Sequence, residues 1–255
     1  MTEPRWHLWT DTVPGPGWRQ MAVDQALLDL AEQSGAGFIR FYHWEPWCLS
    51  FGRHEPALGR YDRVRIEALG LSVVRRPTGG RAVWHARELT YAVAAPSAWV
   101  GGARAGFGRI HQAILEAVQD LGGDARLAPA ARPVGPGGGP CFGTSTGGEI
   151  VVAGRKLVGG AQLTQGSAFL QHGSLLLQDD QQQLAAVSRE PGGAGAITLR
   201  EALGRLVPFD TVAAAVANRL RRWEGAWLEG RPASVDQTAA GHEARFRDPG
   251  WTWRR

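Results

Sequence analysis

Between Ala128 and Gly148 the chain carries Pro129, Pro133, Pro136 and Pro140 among many glycines. Proline lacks the backbone donor that a helix or a sheet ladder needs, and glycine is costly to order. No regular element is expected there, so this is the main irregular segment of the chain, and Cys141 lies within it. Regular structure is expected on either side.

Before that segment, Trp6 to Trp9 reads as a first strand, and Pro14-Gly15-Pro16-Gly17 breaks the chain ahead of a helix over about 18–33. Val23, Leu27, Leu30 and Ala31 form one apolar stripe on that helix, and Gly35 to Gly37 ends it. Strands are predicted at about 38–43 and 47–52, a short helix near 62–69, and strands at 71–76 and 89–95. A helix over about 107–121 places Ile110, Ile114, Leu115, Val118 and Leu121 on one face. Beyond the irregular segment, strands at about 149–153 and 156–163 meet at Ala153-Gly154-Arg155 as a hairpin, and Phe169 to Leu177 supplies another strand. Helices are expected near 198–204 and 209–228, the second turning Val212, Val216, Leu220, Trp223 and Trp227 inward. Hairpin-like strand pairs on both sides of helices favour an α+β class, a mixed β-sheet packed with helices, over regular βαβ alternation.

The hydrophobic fraction of 44% and the charged fraction of 20% are ordinary for a soluble globular protein. No apolar run is long enough for a membrane span, and the N-terminus lacks a secretory apolar core. Cys48 and Cys141 are too few for a disulfide framework, so a cytoplasmic setting is expected. The net charge of +4 favours acidic partners, while the scatter of arginines along the chain argues against a nucleic-acid stripe.

Lys156 is the sole lysine against 27 arginines. Arginine holds its charge permanently, whereas an ammonium lowered by burial can exchange protons. Lys156 sits in Gly154-Arg155-Lys156-Leu157-Val158-Gly159-Gly160-Ala161-Gln162. A second block, Arg75-Arg76-Pro77-Thr78-Gly79-Gly80-Arg81-Ala82-Val83-Trp84-His85, brings arginines to the end of a strand and turns through two glycines that let a ligand approach the backbone. Solvated arginines at an ordinary turn fit the same local pattern. Cys141 is open to a structural or a nucleophilic reading, because the hairpin alone does not bring it to Lys156. The segment 141–148 has to fold back over the sheet before a nearby ammonium can favour the thiolate. Gln171-His172-Gly173-Ser174 lies on a strand that could flank Lys156, and His172 is given a supporting role. Cys48, between Trp47 and Leu49, reads as core. Gly106-Phe107-Gly108 lacks the third glycine of a dinucleotide fingerprint, there is no Gly-Lys-Ser/Thr phosphate loop, and the histidines have no metal-ligand spacing with either cysteine.

Taken in order, five blocks resemble one family: Arg75 to Val83, Glu88-Leu89-Thr90-Tyr91, Pro140-Cys141-Phe142, Gly154 to Gln162 and Gln171 to Ser174. The family is the lipoate-protein ligases and octanoyltransferases, which share the biotin-ligase-like catalytic domain. The resemblance spans roughly residues 20–180 and is nearest to the cysteine-dependent octanoyltransferases that take octanoate from acyl carrier protein. It implies a single catalytic domain over 1–255, with a core at about 20–180 and a C-terminal helical segment at about 198–245.

The resemblance further implies Cys141 and Lys156 as catalytic residues. It implies substrate contacts from Arg75, Arg76, Gly79, Gly80, Arg81, Ala82, His85, Gly159, Gly160, Ala161, Gln162, His172 and Gly173. No metal and no cofactor are implied. Octanoyl acyl carrier protein is the implied donor, and a lipoyl domain or the glycine cleavage H protein the acceptor, with neither nucleic acid nor membrane as partner. In an alternative reading the chain is an ATP-dependent lipoate ligase working through lipoyl-AMP, with Lys156 on the adenylate and Cys141 a bystander. A third reading is a non-catalytic arginine-rich binding module. Two positions depart from the family pattern. Ala86 stands where an aspartate often follows the histidine, and Gly143 to Gly148 is richer in glycine than the pattern leads one to expect.

Overall fold

The computed structural model describes residues 3–129, 147–178, 181–189 and 195–255. In chain order the elements of the first half are β1 (Arg5–Thr10), α1 (Gly17–Ser34), β2 (Gly37–Tyr42), β3 (Cys48–Phe51), α2 (Ala57–Arg60), α3 (Arg63–Ala68), β4 (Ser72–Arg75), β5 (Val83–His85), β6 (Glu88–Pro96) and α4 (Ala103–Asp120). The second half contributes β7 (Ala125–Leu127), β8 (Ile150–Val152), β9 (Arg155–Gln165), β10 (Ala168–Leu176), α5 (Gln182–Val187), α6 (Leu199–Leu203), α7 (Phe209–Leu220), β11 (Ala226–Glu229), α8 (Ala233–Arg247) and α9 (Pro249–Thr252).

An eight-stranded sheet runs in the order β11-β1-β2-β6-β10-β9-β8-β7, and a smaller sheet in the order β4-β3-β5. In the large sheet β1 pairs parallel with both β11 and β2, while the remaining pairs are antiparallel. The α+β class expected from the sequence is therefore the class observed.

Every residue of β2 is buried, because both faces of the sheet are covered. Ile39 and Phe41 join Ile110 and Ile114 of α4 and Val216 of α7 on one face. Phe38 and Tyr42, one step out of phase, join Leu27 and Leu28 of α1 and Phe246 of α8 on the other. Burying a leucine such as Leu27 stabilises the fold by about 1.5–3 kcal/mol relative to leaving it in water. The small sheet has its own core of Leu49, Phe51, Tyr61, Ile66, Trp84 and Leu184.

Two boundaries differ from the sequence expectation. The helix predicted from 107 begins at Ala103, because Gly106 lies inside it where a Cβ would meet Val100 Cγ2 at 2.7 Å; that glycine serves close packing and does not break the helix. The helix predicted over 209–228 ends at Leu220, and Trp227 belongs to β11. Trp223 and Trp227 mimic a helical i, i+4 pair in the sequence, yet they reach Trp6 from separate elements, with ring centroids 5.3 Å and 5.9 Å from it. Gly225, at φ +126°, makes the turn between them against the backbone of Pro4.

Candidate active site

Strands β9 and β10 form the hairpin on which the site is built, with Gly160 opposite Gly173 and Gly159 opposite Ser174. A Cβ on Gly173 would stand 2.2 Å from the Gly159 carbonyl oxygen and 2.6 Å from the Tyr91 hydroxyl. A Cβ on Gly160 would stand 2.9 Å from the same hydroxyl. These glycines clear side chains from the sheet, and a cavity of about 470 Å³, counting the space open to solvent, lies over them. Met21, Tyr42, Trp44 and Val83 supply its apolar wall, and Gly80 and Ala161 complete it. The polar lining is Ser50, Arg76, His85, Thr90, His172 and Ser174.

Both histidines are fixed by buried acids. His172 Nδ1 lies 2.7 Å from Asp24 Oδ2, and its Nε2 lies 2.5 Å from Thr78 Oγ1. Asp24 also accepts from the Tyr42 hydroxyl at 2.9 Å and from Arg40 at 3.2 Å. Burial pushes the His172 imidazole below its ordinary pKa, opposed by Asp24. A neutral ring that donates from Nδ1 and accepts at Nε2 satisfies both partners. His85 Nδ1 lies 2.7 Å from Glu88 Oε1, its Nε2 lies 2.7 Å from Ser50 Oγ, and its ring stacks on Trp44 at 4.1 Å. Glu88 Oε1 further accepts from Thr90 and Ser174, while its Oε2 is buried without a hydrogen bond among the described residues.

Arg76 shapes the glycine loop from inside. Its guanidinium donates to the carbonyls of Gly79 at 2.9 Å and Arg81 at 2.6 Å and to Ser50 Oγ at 3.0 Å. Arg75 points the other way. It is fully buried and donates to the carbonyls of Gly52, Glu55 and Thr252, so it braces the small sheet against α9 and does not line the cavity. Gly79, Arg81, Ala82 and Gln162 are likewise adjacent to the cavity lining and not part of it. Ala82 packs in the core of the small sheet, and Gln162 bonds Gln171 and the Ala103 carbonyl.

Lys156 is buried on β9, three residues before Gly159, with its Nζ 2.6 Å from Glu149 Oε1. It pairs with Val151 of β8, whereas His172 faces Ala161. The His172 strand does lie beside the strand that bears Lys156, but their pairing runs from Gln165 only to Val158, so the lysine itself lies beyond the paired stretch. The lysine's neighbour is His111 of α4, which accepts from or donates to the Tyr91 hydroxyl through Nε2 at 3.0 Å and bonds the Gly148 carbonyl through Nδ1 at 2.7 Å. Burial pushes the His111 pKa down to about 4, with the charge of Lys156 adding to the effect. The ring is therefore neutral, donating to Gly148 and accepting from Tyr91. Cys141 lies outside the described residues. Cys48 is core, as expected, and burial raises its thiol pKa to about 12.

Asp24, Ser50, His111 and Glu149 went unassigned in the sequence reading. Asp24 carries the one available signal, a carboxylate set among the apolar residues of α1.

The family model of the lipoyl protein ligase A/B catalytic domain matches residues 16–221. The chain belongs to this family. Among relatives of the lipoyl ligase family, the octanoyltransferase LipM of Kyrpidia tusciae is 33% identical, the match covering 92% of this chain and 94% of that one. The octanoyltransferase LipM of Symbiobacterium thermophilum is 36% identical, over 86% of this chain and 87% of the relative. A crystal structure of lipoate-protein ligase A bound with ATP superposes with a TM-score of 0.78 at 21% identity, covering 99% of both chains. The bi-partite lipoate protein ligase of Thermoplasma acidophilum superposes at 0.76 and 19% identity, covering 99% of this chain and 97% of that one. These two likenesses establish the fold that the sequence resemblance implied.

Proposed function

We propose that this chain is an octanoyltransferase of lipoate biosynthesis that works through a thioester on Cys141, with Lys156 managing charge and protons beside it. The observation that carries this reading is the walled cavity over Gly159, Gly160 and Gly173, built on the strand that also bears the buried Lys156, in a chain 33–38% identical to octanoyltransferases. An alkyl tail against Met21, Tyr42, Trp44 and Val83 gains about 0.8 kcal/mol for each methylene removed from water, enough for several kcal/mol over an octanoyl chain.

In the first step the Cys141 thiolate attacks the thioester carbonyl of the donor. The new carbon–sulfur bond forms as the old one breaks, and the donor leaves as a thiolate that takes up a proton. One thioester replaces another, so no nucleotide is consumed. In the second step the neutral amine of an acceptor lysine attacks the acyl-enzyme, a carbon–nitrogen bond forms, the cysteine thiolate departs, and the amine sheds its proton. The cation of Lys156 favours the thiolate in both steps. Gly147, where the structure is described again, is six residues from Cys141, a span of at most about 20 Å, and Gly148 is held by His111 beside Lys156.

The donor is octanoyl acyl carrier protein, and the acceptor a lipoyl domain or the glycine cleavage H protein, in the cytoplasm. No helix among the described residues is long and apolar enough to cross a membrane. Intact-mass measurement after mixing with octanoyl carrier protein, without nucleotide, tests the reading. The expected result is one octanoyl adduct, lost in Cys141→Ser and discharged by the acceptor. An acceptor modified only when ATP is supplied, with no adduct on the enzyme, overturns it.

A further inference from the structure

We infer that Arg53, Arg245 and Arg254, gathered around Trp251, form the surface on which the acyl donor docks, and that the donor it fits is a carrier protein presenting its thioester on a phosphodiester-linked arm. The inference rests on the transfer reading above, which names the donor, and adds to it the place on the molecule where that donor docks.

Three observations converge on this patch. The guanidinium carbons of Arg245 and Arg254 lie 3.8 Å and 3.9 Å from the Trp251 ring centroid, so one indole gathers two cations. Arg254 also donates to the Arg53 carbonyl at 2.5 Å, which brings the third arginine into the group. None of the three forms an ion pair among the described residues, whereas Arg19, Arg40, Arg63, Arg155, Arg219 and Arg231 each have a carboxylate partner. Burial, followed by the charges of its neighbours, draws Arg245 and Arg254 below the ordinary guanidinium pKa. Asp29 offsets part of this at Arg245, and an anion from outside would offset the repulsion that is left.

The patch is joined to the cavity wall. The Arg53 amide donates to the Thr78 carbonyl at 2.8 Å, and Thr78 is the residue that holds His172. A Cβ on Gly52 would overlap the carbonyl oxygen of Gly80, an exposed glycine that lines the cavity. Trp251 Nε1 donates to the Arg75 carbonyl at 2.9 Å, on the strand that enters the same loop. The arginines therefore stand on the outer side of the loop whose inner side faces the acyl tail.

Charge selects between the two macromolecular substrates. The acceptor's lysine is cationic in solution and sheds a proton before it attacks, and a guanidinium cluster disfavours the approach of that cation. The donor's arm carries a negative phosphodiester, which the planar fork of arginine binds through paired hydrogen bonds. Such a surface acts on encounter and affinity and leaves the chemical step alone.

The experiment compares two donors on the full chain: octanoyl acyl carrier protein and octanoyl-pantetheine, a small thioester without the phosphate or the protein. The variant is Arg53→Gln/Arg254→Gln. The expected result is a KM for the carrier-bound donor raised about tenfold at unchanged kcat, with both constants for octanoyl-pantetheine the same as in the parent. Raising ionic strength from about 50 mM to about 500 mM should weaken the parent toward the variant and change the variant little. Equal losses with both donors, no loss with either, or a KM effect confined to the acceptor overturns the inference. A parent chain that turns over neither donor without nucleotide overturns the transfer reading, and the docking surface falls with it.

Discussion

Replacing Lys156 by methionine separates the chemistry of the amine from its place in the fold. Lys156 and Glu149 are both nearly sealed from water and meet at 2.6 Å. Removing one member of such a pair leaves a buried charge without its counter-ion, which costs about 3–5 kcal/mol. For a chain of this size each kcal/mol lowers the melting temperature by about 2–4 °C, so Lys156→Met should melt roughly 6–20 °C below the parent. Exchanging both partners for apolar residues of similar volume, Lys156→Met with Glu149→Leu, removes the uncompensated charge and should return the melting temperature to within about 4 °C of the parent or above it. Octanoyl transfer, followed by mass on an acceptor domain, should be absent from the single and the double variant alike. A double variant that regains transfer along with stability would refute a chemical role for the amine. A single variant that melts with the parent would refute the energetic description of the pair.

Other expectations follow from the same geometry. His111 is neutral in the folded chain down to about pH 4, while an unfolded histidine protonates near 6.5, so the unfolded chain binds the extra proton between those values. Stability should therefore fall by about 3 kcal/mol as the pH drops from 6.5 to 4, and urea unfolding of His111→Gln should show a flatter dependence over that window. Gly173→Ala forces a methyl onto the Gly159 carbonyl and the Tyr91 hydroxyl and should cost more than about 3 kcal/mol, read by thermal melting together with loss of octanoyl transfer. Cys141→Ser should accept no octanoyl group, whereas Cys48→Ala should keep the adduct, because the Cys48 thiol is buried and held in its protonated form.

Much of the scaffold was legible because local pattern and tertiary burial agree. The stripe on α1 and the sheet-forming residues of β2 place their apolar side chains on faces that are in fact covered. The sequence misled where a tertiary contact imitated local periodicity, as at Trp223 and Trp227, which converge on Trp6 from a helix end and a strand. Short elements such as β5, β7 and α9 carry too few residues for any period to register. The glycines of the site were readable from their clustering, but the reason for them was not, since the Tyr91 hydroxyl beneath Gly160 and Gly173 comes from a different strand. Asp24 and His172 lie 148 positions apart, and Lys156 meets Glu149 only because β8 and β9 turn back on each other. Pairings of that kind depend on topology and leave no trace in spacing.

The strand order has a practical consequence for anyone trimming this protein. The stretch matched by the family model stops short of β1 on one side and of β11 and α8 on the other. Cutting there would strip two strands from one end of the large sheet and uncover β2, whose backbone would then offer unpaired donors and acceptors along a ribbon that is now wholly buried. It would also bare the flank of α1 that Val235, Ala239 and Phe246 now shield. Such a fragment should precipitate or self-associate, and boundaries for expression belong outside Arg5 and Phe246.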